Sequence, residues 1–435
     1  MHKATNTLHT ACKNTTIPTT VSTIGPNAYG ACKEMTTITI PTTVTTIGAG
    51  AFSEMALESV TIPNSVTKLG NGAFDSCSKL TSVSIGSGIK HINAWTFSGC
   101  EDLKTITIPN NVVSIGSMAF SWCPELTTVN LGTGLVSLGE AVFSGCHKLT
   151  TITIPSSVQV LGMGSLSNCN QLATINFGTG LRIIRDGAFS SNPALTSITI
   201  PNSVTQLGSG VFSHCEALET VTLSSNLTSM GDALFVGCIA LKALNIPKKV
   251  TRIGENIVCG CEALASITVD TANTVYDSRY ASNAIIDKKT DVLLFGCKET
   301  VIPSSVKAIG PNAFRENTAL TTFTVPVNVK AIGDSAFLGC SNLASVKLHD
   351  ALESIGEEAF CSCYNLESVV INYSVTSIGE LAFTSGKLYC RASVKPAGWH
   401  DNWAGDMCEV YWYSANPVLD GQHWHEVDGV PTVWE

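Results

Sequence analysis

A repeat with a period of 23 residues runs through most of this chain and constrains its fold more than any other sequence feature. Two successive copies are LTSVSIGSGIKHINAWTFSGCED from Leu80 and LKTITIPNNVVSIGSMAFSWCPE from Leu103. The shared pattern is L-x-x-[IV]-x-[IL]-[PG]-x-x-[VL]-x-x-[IL]-G-x-x-A-F-x-x-C-x-x. A period of this length indicates units that stack and share one core, because no unit can bury its apolar face alone.

The segment after the opening leucine alternates apolar and polar residues, as in Ile106-Thr107-Ile108. This alternation predicts a short strand with one buried face. Strands of stacked units would lie about 4.8 Å apart, which predicts a rod on the order of 70 Å long for fifteen units. The sequence therefore predicts a repeat solenoid, a right-handed superhelix with one short parallel strand in each 23-residue unit and a small β-rich C-terminal tail.

The later part of each unit holds a glycine and an Ala-Phe pair. The glycine step is predicted to need a conformation that only glycine adopts without strain, so Asn93 should be tolerated there and Arg185 should be locally strained. We expect the phenylalanines to lie on a helical turn opposite the sheet and to form an inward-facing ladder. They are Phe52, Phe74, Phe97, Phe120, Phe143, Phe189, Phe212, Phe235, Phe314, Phe337, Phe360 and Phe383.

Cysteine recurs at one position near the end of the unit. Stacked thiols would lie about one strand spacing apart, which leaves disulfides and a row of metal ligands open as alternatives. We favour buried core thiols, because Met55, Asn192 and Asn317 take the same position elsewhere. The eleven cysteines at this position are Cys32, Cys77, Cys100, Cys123, Cys146, Cys169, Cys215, Cys238, Cys261, Cys340 and Cys363.

The repeat predicts three regions along the chain. Residues 1–14 form an N-terminal lead-in, residues 15–388 form a solenoid of fifteen units, and residues 389–435 form a tryptophan-rich cap or small module. An open solenoid end exposes its core, so a cap is expected there.

One insertion interrupts the repeat. The spacing from Leu264 to Leu320 is 56 residues where two units take 46, and a projecting hairpin at about 270–296 accounts for the excess. The sequence from Ala11 closely matches the sequence from Gly296, which predicts that the chain begins after a similar insertion, as a fragment of a longer array.

Threonine and serine occupy the outward strand positions with unusual regularity. A neutral, hydroxyl-rich sheet face can hydrogen-bond an extended peptide or a sugar, although threonine also suits an exposed strand for solubility alone. We call the candidate binding positions the outer face: Thr105, Thr107, Thr128, Asn130, Thr151, Thr153, Thr174, Asn176, Ser197, Thr199, Thr220 and Thr222.

The motif IPNSVTQLGSGVFSHC from Ile200 resembles the BspA-like (Treponema pallidum type) leucine-rich repeat family, over roughly residues 15–388. The insertion and the tail segment YCRASVKPAGWHDNWAGDMCEVYW also resemble parts of such proteins. The resemblance implies a leucine-rich-repeat horseshoe or rod on the surface of oral or gut bacteria or mucosal protozoa. It also implies adhesion to host matrix or cell-surface proteins, and it supplies no catalytic residue and no cofactor.

The tail concentrates five of the seven tryptophans in the last 37 residues. Besides capping the solenoid, aromatic rings can stack on sugars, so the tail also holds candidate glycan contacts. These candidates are Trp399, Trp403, Trp412 and Trp424.

Two cysteines of the tail, Cys390 and Cys408, stand outside the repeat position and are candidates for one disulfide that staples a small module. With His400, His423 and His425 they also offer metal ligands, but their spacing fits no standard zinc motif. We therefore assign no metal site.

Charge and composition exclude several function classes. The net charge of -9 offers no basic patch to attract nucleic acid or anionic membrane. No apolar run reaches the length of about eighteen residues that spans a bilayer, and MHKATNTLHT lacks the apolar stretch of a secretory signal. No nucleophile elbow, phosphate loop or metal-binding helix motif occurs, so we expect no enzyme.

The sequence thus predicts a non-catalytic binding or adhesion protein that presents the outer face to a protein partner, expected outside the cell or at its surface. Two alternatives stay open. One is a surface protein that binds carbohydrate through the aromatic tail, and the other is a structural spacer.

Overall fold

The computed structural model of the chain describes residues 6–11 and 15–434, and it forms two compact units whose boundary falls between Phe235 and Val236. Much of the predicted lead-in, residues 1–14, therefore lies outside the described residues. The predicted boundaries at 15–388 and 389–435 stay predictions.

No helix in the described part of the chain is long and apolar enough to cross a membrane.

In the first unit each predicted strand pairs in parallel with the strand of a neighbouring repeat, in groups of two to four strands. Val60 lies opposite Val83, for example, and Ile152 opposite Ile175. The apolar residues point inward, so the prediction of a solenoid with a parallel strand in each turn is confirmed. These strands are Ser59–Ile62, Ser82–Ile85, Thr105–Thr107, Thr128–Asn130, Thr151–Ile154, Thr174–Phe177, Ser197–Thr199 and Thr220–Thr222.

Each turn carries a second strand that the sequence analysis did not predict. It is two residues long and includes the apolar residue before the glycine, so that Leu138 pairs with both Ile115 and Leu161. Two residues are too few for alternation to identify a strand. In the first unit these strands are Thr7–Leu8, Thr23–Ile24, Thr46–Ile47, Lys68–Leu69, His91–Ile92, Ser114–Ile115, Ser137–Leu138, Val160–Leu161, Ile183–Ile184, Gln206–Leu207 and Ser229–Met230.

The segment that holds the Ala-Phe pair is not helical, so the predicted helical turn is wrong. In each turn the N–H groups of three alternate residues donate to carbonyls of the next turn. In one turn these donors are Trp95, Phe97 and Gly99, and the N–H of Phe97 donates to the carbonyl oxygen of Ala119 at 2.8 Å. The outer two donors have left-handed backbone, with φ of 57° at Trp95 and 66° at Gly99. We call these two left-handed positions the first corner and the second corner of a turn.

The phenylalanine rings form the predicted inward ladder. The ring of Phe97 stacks on that of Phe74 at a centroid distance of 5.4 Å and an angle of 7°, and all the ladder phenylalanines of the first unit are buried. Leu166 takes the same position between Phe143 and Phe189 and interrupts the stack. The ladder is therefore confirmed with one interruption in this unit.

The glycine of each unit is required for close approach of two turns, not for left-handed backbone. A Cβ on Gly116 would lie 2.6 Å from the backbone nitrogen of Ala94, and one on Gly162 would lie 2.2 Å from the carbonyl oxygen of Gly139. None of these glycines has positive φ, and neither does Arg185. The left-handed strain predicted at Arg185 is therefore absent, because the left-handed corner lies two residues further on.

In the second unit the predicted hairpin is part of the solenoid wall. Ala284–Asp287 pairs in antiparallel fashion with Val292–Gly296, and Leu293 then pairs in parallel with Ile309 of the next turn. Ile286 and Leu293 are fully buried. The hairpin therefore does not project, because its apolar residues fill the place of an ordinary second strand.

The remaining elements of the second unit follow the same plan. The longer strands are Ala243–Ile246, Ser266–Val269, Thr322–Thr324, Ser345–Lys347 and Ser368–Ile371. The short elements, on the side of the second strands, are Arg252–Ile253, Tyr276–Asp277, a 3-10 turn at Arg279–Ala281, Ala308–Ile309, Ala331–Ile332, Ser354–Ile355 and Ser377–Ile378.

The C-terminal tail extends the sheet of longer strands. Phe383–Cys390 pairs in parallel with Ser368–Ile371 on one side and with Ala404–Tyr413 on the other. His423–Val427 continues the sheet and folds back on Val430–Val433 as an antiparallel hairpin. The tail is therefore β-rich, as predicted.

Candidate binding surfaces

All twelve residues of the outer face are exposed. They form two rows because the strands are in register: Thr128 lies opposite Thr105 in one row, and Asn130 lies opposite Thr107 in the other. The rows are about 7 Å apart along the strand, and neighbouring turns are about 4.8 Å apart. The structure thus brings the predicted residues together on one side of the first unit.

Hydrogen bonds between turns hold part of the outer face in place. The amide Nδ2 of Asn130 donates to Oγ1 of Thr107 at 3.3 Å, and that of Asn176 donates to Oγ1 of Thr153 at 3.4 Å. None of the twelve side chains carries a charge. The face therefore offers a regular array of neutral donors and acceptors on a rigid sheet.

The repeated cysteines have a structural role that the sequence analysis did not specify. The Sγ of Cys123 donates to the carbonyl oxygen of Phe97 at 3.3 Å, and burial raises the pKa of this thiol to about 12. Where Asn192 replaces cysteine, its Nδ2 donates to the equivalent carbonyl of Leu166 at 2.9 Å. The replacement by asparagine was the sequence signal for this hydrogen bond.

Most of the repeated thiols are buried, as predicted, whereas Cys32 is half-buried. A buried thiol with a raised pKa is a poor nucleophile, because the reactive form is the thiolate. We call the eleven repeated cysteines the thiol column. Its hydrogen bonds link neighbouring turns, and its raised pKa values make it a poor candidate for nucleophilic catalysis.

Three of the four tryptophans predicted to contact glycans are buried. The exposed fraction is 3% for Trp399, 4% for Trp403 and 1% for Trp424, and Trp412 is half-buried. The prediction of sugar contacts is therefore wrong for Trp399, Trp403 and Trp424, and it stays a prediction for Trp412. The physical reason is that the last turn would otherwise expose its apolar interior, and the large rings cover it.

The tail also satisfies the backbone of the last turn. The N–H groups of Leu381 and Phe383 donate to the carbonyls of Asn402 and Trp403 at 2.7 and 3.2 Å. In earlier turns the same donors bind the following repeat. The tail thus caps both the apolar core and the hydrogen-bond ladder.

The predicted disulfide between Cys390 and Cys408 is wrong. Gly386 lies opposite Cys408 and Cys390 lies opposite Trp412, so the two cysteines are four residues apart along paired strands. That offset is roughly 13 Å, well beyond the Cα separation of about 7 Å that a disulfide can bridge. Both thiols are free, and no group of three or more metal-ligating side chains lies among the described residues.

The chain is similar to several solved structures of bacterial leucine-rich repeat proteins. A leucine-rich repeat protein from Bacteroides ovatus is 27% identical, with 81% of this chain and 83% of that chain covered and a TM-score of 0.52. A leucine rich cell surface protein from Faecalibacterium prausnitzii is 23% identical, with coverages of 85% and 76% and a TM-score of 0.39. The leucine rich repeat protein of T. pallidum is 27% identical, with coverages of 48% and 78% and a TM-score of 0.31.

No curated protein matches the chain. The BspA type leucine rich repeat region matches at residues 8–124, 90–215, 182–290 and 295–390. These matches include most of the turns described above. The chain therefore belongs to the BspA-type leucine-rich repeat family.

Proposed function

We propose that this chain is a non-catalytic binding protein that holds a protein partner on its outer face, at a cell surface or outside the cell. The observation that carries the proposal is the exposure of all twelve outer-face residues on strands that are in register. A solenoid sheet of this kind is an extended surface that one partner can contact over several turns.

The chemistry of the outer face favours a partner with neutral polar groups. Hydroxyls and amides both donate and accept hydrogen bonds, so they match a peptide backbone or uncharged polar side chains. The family resemblance favours a host matrix or cell-surface protein as the partner. The proposed location rests on the same resemblance.

A charge-insertion series tests the proposal. Three substitutions in alternate turns, Thr107→Glu, Thr153→Glu and Thr199→Glu, place new carboxylates about 10 Å apart on the outer face. We expect the full chain to bind at least one of immobilised fibronectin, laminin or collagen in biolayer interferometry. The triple variant should bind about tenfold more weakly or worse, because buried unpaired charges oppose association.

The matched control carries the same added charge away from the outer face. Gln159→Glu, Gln171→Glu and Gln206→Glu alter exposed residues outside it, and this triple variant should bind like the unmodified chain. Equal binding by all three proteins would overturn the proposed face. Failure of the unmodified chain to bind any of the three matrix proteins would favour a structural spacer.

A further inference from the structure

Two tryptophans outside the tail, Trp95 and Trp122, are 46% and 61% exposed. They lie in consecutive turns, at corners of the segments that hold the Ala-Phe pairs and not on the outer face. The indole nitrogen of Trp95 donates to Sδ of Met118 at 3.1 Å, and the ring of Trp122 meets His147 edge-on at 5.9 Å. We call these four residues the indole patch.

The backbone of the indole patch is unfavourable for bulky side chains. Trp95, Met118 and Trp122 have φ of 57°, 57° and 56°, in the left-handed region that glycine and asparagine adopt most easily. Burial gives only partial compensation, because Trp95 and Trp122 keep 46% and 61% of their surface exposed. The other left-handed corners of the first unit carry mostly glycine, alanine, serine or asparagine, so Trp95 and Trp122 are bulky exceptions at these positions.

The turns on either side leave Trp122 uncovered. Gly99 and Gly145 occupy the second corner in the turns before and after it. A Cβ on Gly145 would lie 3.2 Å from the Trp122 ring, so the ring rests against the glycine backbone where another residue would place a side chain. The Trp122 ring thus presents a flat aromatic surface next to the backbone of Gly145.

Polar groups lie near this aromatic surface. A column of serines, including Ser98 and Ser144, lies one residue before the second corner. The indole N–H of Trp122 makes no hydrogen bond within the described part of the chain. Trp122 therefore combines an exposed ring and an indole donor without a partner in the described residues, and serines lie one residue before the second corner in the turns before and after it.

This combination matches a sugar better than a protein. A pyranose has an apolar face that stacks on an aromatic ring and hydroxyls at its rim that pair with polar groups. A stable protein interface needs about 800 Å² from each partner, more than four side chains supply. We propose that the indole patch is a carbohydrate-binding site that takes a neutral oligosaccharide by stacking pyranose rings on Trp95 and Trp122.

Isothermal titration of the full chain with chitotriose, cellotriose, maltotriose and N-acetyllactosamine tests the site. We expect at least one of these sugars to bind, and Trp95→Gly and Trp122→Gly each to weaken binding about tenfold or more, because each removes a stacking ring. Glycine suits both corners, so these variants should unfold at the same temperature as the unmodified chain or higher. Tyr373→Ala removes a ring that is 65% exposed elsewhere and should leave binding unchanged.

The proposal is overturned if none of the four sugars binds or if both glycine variants bind like the unmodified chain. A lower unfolding temperature in Trp122→Gly would also overturn it, by showing that the ring is structural. Sedimentation velocity tests whether a second copy of the chain, and not a sugar, occupies the patch. A dimer that Trp122→Gly abolishes would assign the patch to a second copy of the chain instead of a sugar.

Discussion

At the scale of the residue, the glycine of each turn acts through its missing side chain. A Cβ on Gly116 would lie 2.6 Å from Ala94 N and 2.9 Å from Asn93 C, and both are backbone atoms of the preceding turn. We expect Gly116→Ala to lower the free energy of unfolding by about 1–3 kcal/mol, because the two turns must separate to admit the methyl group. Urea denaturation followed by circular dichroism measures the loss.

The neighbouring residue provides the control for this substitution. Ser117 is half-buried, and Ser117→Ala adds no atom between the turns, so its effect should stay within about 0.5 kcal/mol. Equal losses in the two variants would show that close approach of the turns is not what the glycine provides.

At the scale of the element, the tail is the part of the chain that closes the last turn. Trp403 is 4% exposed, lies 4.7 Å from the ring of Trp399 and meets Phe383 edge-on. We expect Trp403→Ala to lower the free energy of unfolding by about 3–5 kcal/mol, because it leaves a large cavity in the cap. Hydrogen exchange should rise in Phe383–Cys390, the strand that the cap covers.

Tyr364→Ala is the control for the cap, since that ring is 63% exposed. It should leave both the unfolding free energy and the exchange of Phe383–Cys390 unchanged. If hydrogen exchange of Phe383–Cys390 is also unchanged in Trp403→Ala, the tail is a separate module and not a cap.

At the scale of the whole molecule, the thiol column makes stability depend on alkaline pH. Burial raises the pKa of Cys77, Cys123 and Cys169 to about 12. Unfolded thiols ionise near pH 8.5, so above that pH the unfolded state loses protons that the folded state retains. Stability is therefore full below about pH 8.5 and falls as the pH rises toward the folded pKa, by up to about 1.4 kcal/mol per pH unit for each thiol.

Urea unfolding between pH 7 and pH 10.5 measures this dependence. The double variant Cys123→Val and Cys169→Val keeps two side chains of similar size but removes two ionising groups, so its stability should fall less steeply above pH 8.5. Identical slopes in the two proteins would contradict the assignment of the alkaline loss to the buried thiols.

The candidate sites differ in how far the sequence predicted them. Alternation of apolar and polar residues placed Thr105 and Thr107 outside the core, and both are exposed. Trp95 and Trp122 were missed because they occupy variable positions of the repeat. Their signal was two tryptophans outside the tail at positions where most units have small residues.

The sequence by itself determined the stacked turns, the buried phenylalanine ladder and the exposed hydroxyl rows, because one period repeated along the chain allows only one way for every unit to bury its apolar residues. The tertiary structure decided the second strand, the left-handed corners and the exposure of each tryptophan. Trp403 is buried and Trp122 is exposed although the residue type is the same. Burial at such positions depends on which turn or tail segment lies against the residue, and the spacing within one unit does not specify that neighbour.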